Sequence, residues 1–183
     1  GRPAPDDVLL IMGAGPIGLA VVLWARTGGV GRIVVSDPVA SRRELARSLG
    51  ATHVVDPMTQ DLPSYFQTHF GAAPQSVIEC AGKPGTLDQA AMVVGYEGKI
   101  GIAGIHTERE EFSRLLPFVN NVTVNFCCWY TKAHYAHTVR MIAENRIDPV
   151  AMVTHRICLD ELSAALTALK TPNDYGKVLV LAD

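Results

Sequence analysis

Short apolar runs and stretches of helical spacing alternate along most of this chain. Val8-Leu9-Leu10-Ile11-Met12 is an unbroken apolar pentad closed by Gly13, the pattern of a strand buried on both faces. Over residues 17–27 the apolar positions take helical spacing, and they stop at Gly28-Gly29. Arg32–Ser36, centred on Ile33-Val34-Val35, predicts the next strand. Pro38 suits the first turn of a following helix, where its missing N–H costs nothing. Leu45 and Leu49 lie four apart on that helix, and Gly50 is placed to end it. Further strands are expected at His53–Val55, Ser76–Glu79, 99–103 and 123–127. Between them, Asp61 with Pro63 marks the capped start of a helix running to Phe70, and another helix is expected from about Pro84 to Val93. Six strands alternating with helices imply right-handed crossovers and a parallel sheet clothed on both faces. The predicted fold class is α/β, a doubly wound six-stranded parallel sheet.

Beyond Tyr130 the pattern changes. Tyr135, Val139 and Ile142 sit at i, i+4 and i+7 on a predicted helix ending near Asn145, with Pro149 after it. Leu162, Leu166 and Leu169 repeat that spacing on a last helix capped by Asp160, and residues 177–182 read as a terminal strand. These elements do not continue the strand–helix register. Residues 8–131 are therefore expected to form the sheet domain, and 132–183 a separate C-terminal segment of helix and strand.

Composition narrows the chemistry. Of 183 residues 48% are hydrophobic and 19% charged, as in globular domains and unlike disordered chains. Sixteen Lys and Arg against eighteen Asp and Glu leave a formal charge of −2. That balance offers no broad cationic field, so neither nucleic acid nor a membrane surface is an expected partner. Cys80, Cys127, Cys128 and Cys158 show neither C-x-x-C spacing nor the density of a disulfide framework, which favours a reducing, cytoplasmic setting. No apolar run approaches the roughly 18 residues of a membrane span, and no signal-like segment opens the chain. The opening Gly1-Arg2-Pro3 is polar and lacks an initiator Met, so the chain is expected to be part of something longer.

Gly13-Ala14-Gly15-Pro16-Ile17-Gly18 is a G-x-G-x-x-G directly after a predicted buried strand and opening a predicted helix. Gly13 permits the tight turn, Gly15 leaves room for a pyrophosphate, and Gly18 lets helix and strand pack closely. The free N–H groups and positive dipole end of the helix would meet the phosphate charge. Pro16 has no N–H, which leaves Ile17 and Gly18 as the donors. In this context the motif makes the sheet Rossmann-type. Asp37, nineteen residues past the last glycine at the end of the second strand, is placed to accept hydrogen bonds from an adenosine ribose. A 2′-phosphate there would face like-charge repulsion, so NAD is favoured over NADP. Arg42 and Arg43 follow on the next helix, where an arginine can flank the same ribose.

A parallel sheet of this kind binds ligands beyond the carboxyl ends of its strands. The residues after the fourth and fifth strands are Cys80-Ala81-Gly82-Lys83 and Ala103-Gly104-Ile105-His106, small enough for a flat ring to lie on the backbone. Cys80 reads as a small buried residue rather than a redox centre. Cys127 and Cys128 are neighbours in a predicted strand and point to opposite faces, which argues against joint metal ligation. His134 and His137, three apart on a helix, find no third ligand at matching spacing and read as solvated surface. The chain is expected to hold neither catalytic residues nor a metal.

Three stretches carry a likeness to a known family: residues 8–19 around the glycine motif, Val77-Ile-Glu-Cys-Ala-Gly-Lys-Pro-Gly-Thr86, and the run from Ile147-Asp-Pro through Thr154-His-Arg to Asp160-Glu161. Together with Gly176-Lys177-Val178 they resemble the medium-chain dehydrogenase/reductase family, specifically the C-terminal, cofactor-binding half of zinc-type alcohol dehydrogenases. The resemblance implies that Ile17 meets the pyrophosphate, Asp37 the adenosine ribose, and Arg42 its flank. It implies that Ala81 and Gly82, with Ala103, Gly104 and Ile105, form the nicotinamide side, and that Lys177 can reach the pyrophosphate.

The resemblance further implies NAD-dependent oxidation of a small alcohol or polyol, with the zinc held in a catalytic domain absent from this chain; no Gly-His-Glu segment of zinc ligands occurs here. Alone, the chain is expected to be inactive. Homo-oligomers through the cofactor domain are expected as well, with one sheet extended across two subunits. Two other readings of the residues stand beside this one: a stand-alone NAD-binding regulatory module that senses redox state, and a methyltransferase with a nucleoside cofactor.

Overall fold

The computed structural model describes residues 3–171 and 173–182; of the opening Gly1-Arg2-Pro3, Gly1 and Arg2 lie outside them. Six strands, β1 (Val8–Met12), β2 (Arg32–Ser36), β3 (His53–Val55), β4 (Ser76–Glu79), β5 (Lys99–Ile102) and β6 (Thr123–Phe126), form one sheet in the order β3-β2-β1-β4-β5-β6. Every pairing is parallel. The α/β doubly wound architecture is thus the one predicted. Helices α1 (Pro16–Thr27), α2 (Ala40–Ser48), α3 (Leu62–Phe70), α4 (Thr86–Val93) and α5 (Leu115–Val119) fall between the strands. Beyond β6 come α6 (Lys132–Ala143), β7 (Val153–Ile157), α7 (Leu162–Ala168) and β8 (Lys177–Val180).

The central strand shows how the core is divided. Successive side chains of a strand point to opposite faces. Val8, Leu10 and Met12 accordingly join Leu62, Phe66, Ala90 and Val93 on the α3/α4 side. Leu9 and Ile11 join Leu19, Val22, Ala46 and Leu49 on the α1/α2 side. All five residues of β1 are buried, which is why the pentad shows no polar alternation.

Several boundaries differ from the sequence expectation. Val39 caps α2, so Pro38 lies before the helix rather than in its first turn. Gly85, at φ 85°, caps α4, and that helix starts two residues after Pro84. Strands β5 and β6 each stop one residue early, which leaves Cys127 and Cys128 beyond the strand and both exposed. Asp61 caps α3 as predicted: its carboxylate accepts from the Ser64 N–H at 3.0 Å.

The region after β6 departs further. Strands β7 and β8 pair parallel in a small sheet of their own, and neither α5 nor β7 has a counterpart in the sequence reading. Asp160 is not the cap of α7. A 3-10 turn, Leu159–Glu161, precedes that helix, and the Glu161 carboxylate folds back to accept from the Cys158 N–H at 2.9 Å. This segment docks on the α1/α2 face: Met152 enters the core there, and Gly176 packs against Leu45. Its own apolar stripe of Tyr135, Val139 and Ile142 stays exposed. No helix among the described residues is long and apolar enough to cross a membrane.

Candidate functional site

The strand order reverses between β1 and β4, where one chain direction leads to β2 and the other to β5. A crevice opens at such a switch point because the two flanking crossovers run to opposite faces. Here the cleft has a volume of about 700 Å³. Met12 and Gly13 line it at the end of β1, Ser36 and Asp37 at the end of β2, and Cys80 and Ala81 just past β4.

The glycine loop builds its floor. Nothing lies within 4 Å of where a Cβ on Gly15 would stand, so ligand atoms can approach that backbone directly. A Cβ on Gly18 would run into the Gly13 carbonyl oxygen, so glycine there is needed for α1 to leave the sheet at this angle. Gly15 caps α1 and Pro16 opens it; the first helical bond runs from the Leu19 N–H to the Gly15 carbonyl. The N–H groups of Ile17 and Gly18 therefore precede that ladder and remain for an anion.

Asp37 is 4% exposed. One carboxylate oxygen accepts from the buried Ala14 N–H at 2.8 Å and the other from the Val39 N–H at 2.8 Å. Each oxygen keeps a lone-pair direction for a further donor. Arg43 supports the same loop from behind, donating to the Asp37 carbonyl at 2.7 Å and pairing with Asp56 at 3.2 Å. Arg42 lines the cleft and donates to the Asn173 side chain at 3.0 Å. The two arginines flagged by sequence thus divide: one braces the loop and one faces the cleft.

A second acid, missed by the sequence reading, organises the other side. Glu79 ends β4, is 2% exposed, and accepts from the N–H groups of Ala81 at 2.7 Å and Gly82 at 2.8 Å with one oxygen. Its signal in the sequence was an acid closing an otherwise apolar strand. Gly82 and Gly104 press their backbones together, so the loops after β4 and β5 meet at small residues. Glu110 joins the same loops, accepting from the Gly85 N–H at 2.6 Å and lying 3.1 Å from the His106 ring nitrogen. Burial beside Glu79 and Cys127 pushes the Cys80 thiol up to about 12, with burial the larger cause. That thiol is held protonated, in keeping with a packing residue.

Of the other candidate residues, Gly13, Gly15, Pro16, Asp37, Arg42 and Ala81 line the cleft. Ile17, Gly18, Gly82, Ala103, Gly104, Ile105 and Lys177 do not. Lys177 sits exposed on β8, and the C-terminal segment reaches the cleft instead through Leu169, Lys170 and Thr171. His134 caps α6 through the Thr131 N–H, and His137 stacks on Trp24 at 5.4 Å. Cys158, Asp160 and Glu161 bring a thiol and two carboxylates within 4.8 Å of one another, the one such group among the described residues. They are exposed, Glu161 is engaged in its turn, and none lines the cleft. They do not fit a catalytic zinc beside a bound nicotinamide.

Comparison with known proteins agrees with this geometry. A family described as zinc-binding dehydrogenase matches residues 16–144. Sorbitol dehydrogenase of Bacillus subtilis is 31% identical over 96% of this chain and 50% of its own length. A protein of Sinorhizobium meliloti 1021 described as a zinc-binding dehydrogenase, solved with NADP bound, superposes with a TM-score of 0.84 at 28% identity, over 96% of this chain and 52% of that one. An alcohol dehydrogenase of Escherichia coli CFT073 complexed with NADH shares the fold, with a TM-score of 0.88 at 22% identity over all of this chain and 54% of that one. The chain spans about half the length of the curated relatives it matches.

Proposed function

The chain belongs to the zinc-binding dehydrogenase family, and from that premise we propose that it is the NAD-binding half of an alcohol or polyol dehydrogenase. Residues 8–131 would form the dinucleotide domain, and 132–183 would return towards a catalytic portion lying outside these residues. The observation that carries the reading is the Asp37 carboxylate, fixed by Ala14 and Val39 at the end of β2 within a glycine-floored cleft. Two fixed N–H donors set both oxygens in place before any ligand arrives, so little ordering remains for a ribose diol to impose.

In this reading Gly15 lets the pyrophosphate approach, and the Ile17 and Gly18 N–H groups donate to it. Asp37 and Arg42 take the adenosine ribose. Ala81, Gly82, Ala103, Gly104 and Ile105 support the nicotinamide, and Lys177 the pyrophosphate once the catalytic portion is in place. NAD supplies a two-electron acceptor for hydride from the alcohol carbon. No proton-transfer step is assigned to this chain, since the acids lining the cleft, Asp37 and Asp61, are engaged with backbone donors. Zinc chemistry belongs to the rest of the protein, and the chain alone is expected to turn over no alcohol.

The four free cysteines fit a reducing, cytoplasmic compartment. A second copy is the expected partner at the β6 edge, where Phe118 is 86% and Trp129 91% exposed beside an unpaired strand. Light scattering at rising concentration tests that; a strictly monomeric species would exclude it. Calorimetry tests the cofactor. NAD should bind more tightly than NADP, and Asp37→Ala should narrow the ratio by roughly tenfold, the worth of one charged hydrogen bond. Equal affinities in the parent chain, or an unchanged ratio in the variant, would overturn the assignment.

A further inference from the structure

One wall of the cleft comes from far along the chain. Leu169, Lys170 and Thr171, just past α7, line it together with Asp37 and Arg42. Backbone bonds continue α7 into this wall, from the Leu169 N–H to Ala165 and the Lys170 N–H to Thr167, and one side chain ties its end to Arg42. Asn173 donates from its amide nitrogen to the Ala168 carbonyl at 2.7 Å and the Thr171 carbonyl at 2.9 Å. Its amide oxygen accepts from Arg42 Nη2 at 3.0 Å and from the Tyr175 N–H at 3.0 Å. Both donors and both acceptor directions are thereby used, so the amide can neither flip nor swing without losing bonds. Arg42 has a buried Nε with no partner among the described residues. A buried donor left unmade is costly, and an acceptor brought by a ligand would relieve it.

Resting on the dinucleotide reading above, we propose that Asn173 is the positioning residue of the adenosine end. It fixes the Arg42 guanidinium in the cleft while tying it to the Thr171 end of the 169–171 wall. The C-terminal segment is then part of the cofactor site, and a chain lacking it would keep the glycine loop but lose its grip on adenosine. Asn173 itself touches no ligand. It acts through Arg42, which predicts coupling between the two.

The test is a double-mutant cycle of Asn173→Ala and Arg42→Met, read by calorimetry with NAD, AMP and nicotinamide mononucleotide. Each single variant should weaken AMP and NAD by roughly tenfold and leave nicotinamide mononucleotide unchanged, and the pair should cost no more than either alone. Additive losses, or an AMP affinity within twofold of the parent in Asn173→Ala, would overturn the proposal. If Asn173→Ala does not fold, Arg42→Met, which leaves the amide's bonds to Ala168 and Thr171 in place, must show the AMP-selective loss; an equal loss on both mononucleotides would overturn it too. A parent chain that binds NAD while Asn173→Ala behaves as the parent refutes this inference alone. A parent chain that binds neither NAD nor AMP refutes the dinucleotide reading and this one with it.

Discussion

Asp37 and Glu79 are the same device used for two ends. Each is a buried acid at the carboxyl end of a strand flanking β1's side of the switch point, and each accepts two backbone N–H groups. Asp37 spends one oxygen on the glycine loop and one on its own loop, and it lines the cleft. Glu79 puts both donors on one oxygen and does not line it. The difference is one of reach. Asp37's clamp spans two loops and leaves lone pairs towards the ligand, whereas Glu79's closes a single tight turn. A buried carboxylate is therefore not by itself a mark of function; what it faces decides.

The largest effect expected from that contrast is on stability. Glu79→Ala strips the part-buried N–H groups of Ala81 and Gly82 of a charged acceptor, at about 1–3 kcal/mol, because water can reach them. Asp37→Ala should cost more, about 2–5 kcal/mol, because it leaves the buried Ala14 N–H without an acceptor as well as the half-buried Val39 N–H. Urea unfolding of both variants measures this. The contrast breaks if Glu79→Ala proves the more damaging, or if Glu79→Ala shifts the NAD to NADP ratio as Asp37→Ala should.

Next in size is the clamp between the two nicotinamide-side loops. Glu110→Ala frees the Gly85 N–H and the His106 ring together, and about 1–3 kcal/mol of stability should go with them. Glu110→Gln keeps an acceptor for Gly85 and should recover at least half of that loss. An equal loss in both variants would mean the charge, not the hydrogen bond, holds these loops.

Thiol reactivity sharpens the contrast at the β4 loop. With its thiol pushed up to about 12, chiefly by burial, Cys80 stays almost wholly protonated at pH 8. Alkylation followed by peptide mapping should label the exposed Cys127, Cys128 and Cys158 and spare Cys80. Labelling of Cys80 at the rate of the other three would show that the loop opens readily and that Glu79's turn is looser than its bonds indicate.

The centre of the sheet was legible because β1, β2 and β4 are buried on both faces, and burial writes an apolar run that needs no context. The glycine loop was legible for a related reason: a carbonyl oxygen stands where a Cβ on Gly18 would go, so one residue type fits. Asp37 was found through its spacing from that loop. Glu79, Glu110 and Asn173 were not, because each serves a backbone group whose position only the folded loops define. The C-terminal segment misled for the opposite reason. Its helical spacing at Tyr135, Val139 and Ile142 is genuine, but those side chains are exposed, so amphipathicity there points to a surface the described residues do not cover. Asp160 was chosen as a cap by residue type, and the 3-10 turn ahead of α7 gave the capping geometry to Cys158 and Glu161.

The smallest effect lies outside the cleft and asks whether the edge strand obeys the same rule. His53 on β3 has no acid to clamp it. Its ring nitrogen lies 3.1 Å from the Thr52 hydroxyl, and its ring packs edge-on to Phe70 and His69. Burial first, then the neighbouring His69 and Arg47, hold its pKa below the ordinary histidine value. The folded state therefore binds fewer protons here than the unfolded chain. Stability from this site is intact above the unfolded value of about 6.5 and declines as pH falls below it, because protons favour the unfolded side. His53 is only half-buried, so solvent screening keeps the slope shallow. Urea midpoints between pH 7.5 and 5 should fall slightly more for the parent chain than for His53→Phe, which keeps the contact with Phe70 and removes the titration. A variant whose midpoints fall as steeply as the parent's would place the acid sensitivity of this edge elsewhere, with His69 on α3 the next group to replace.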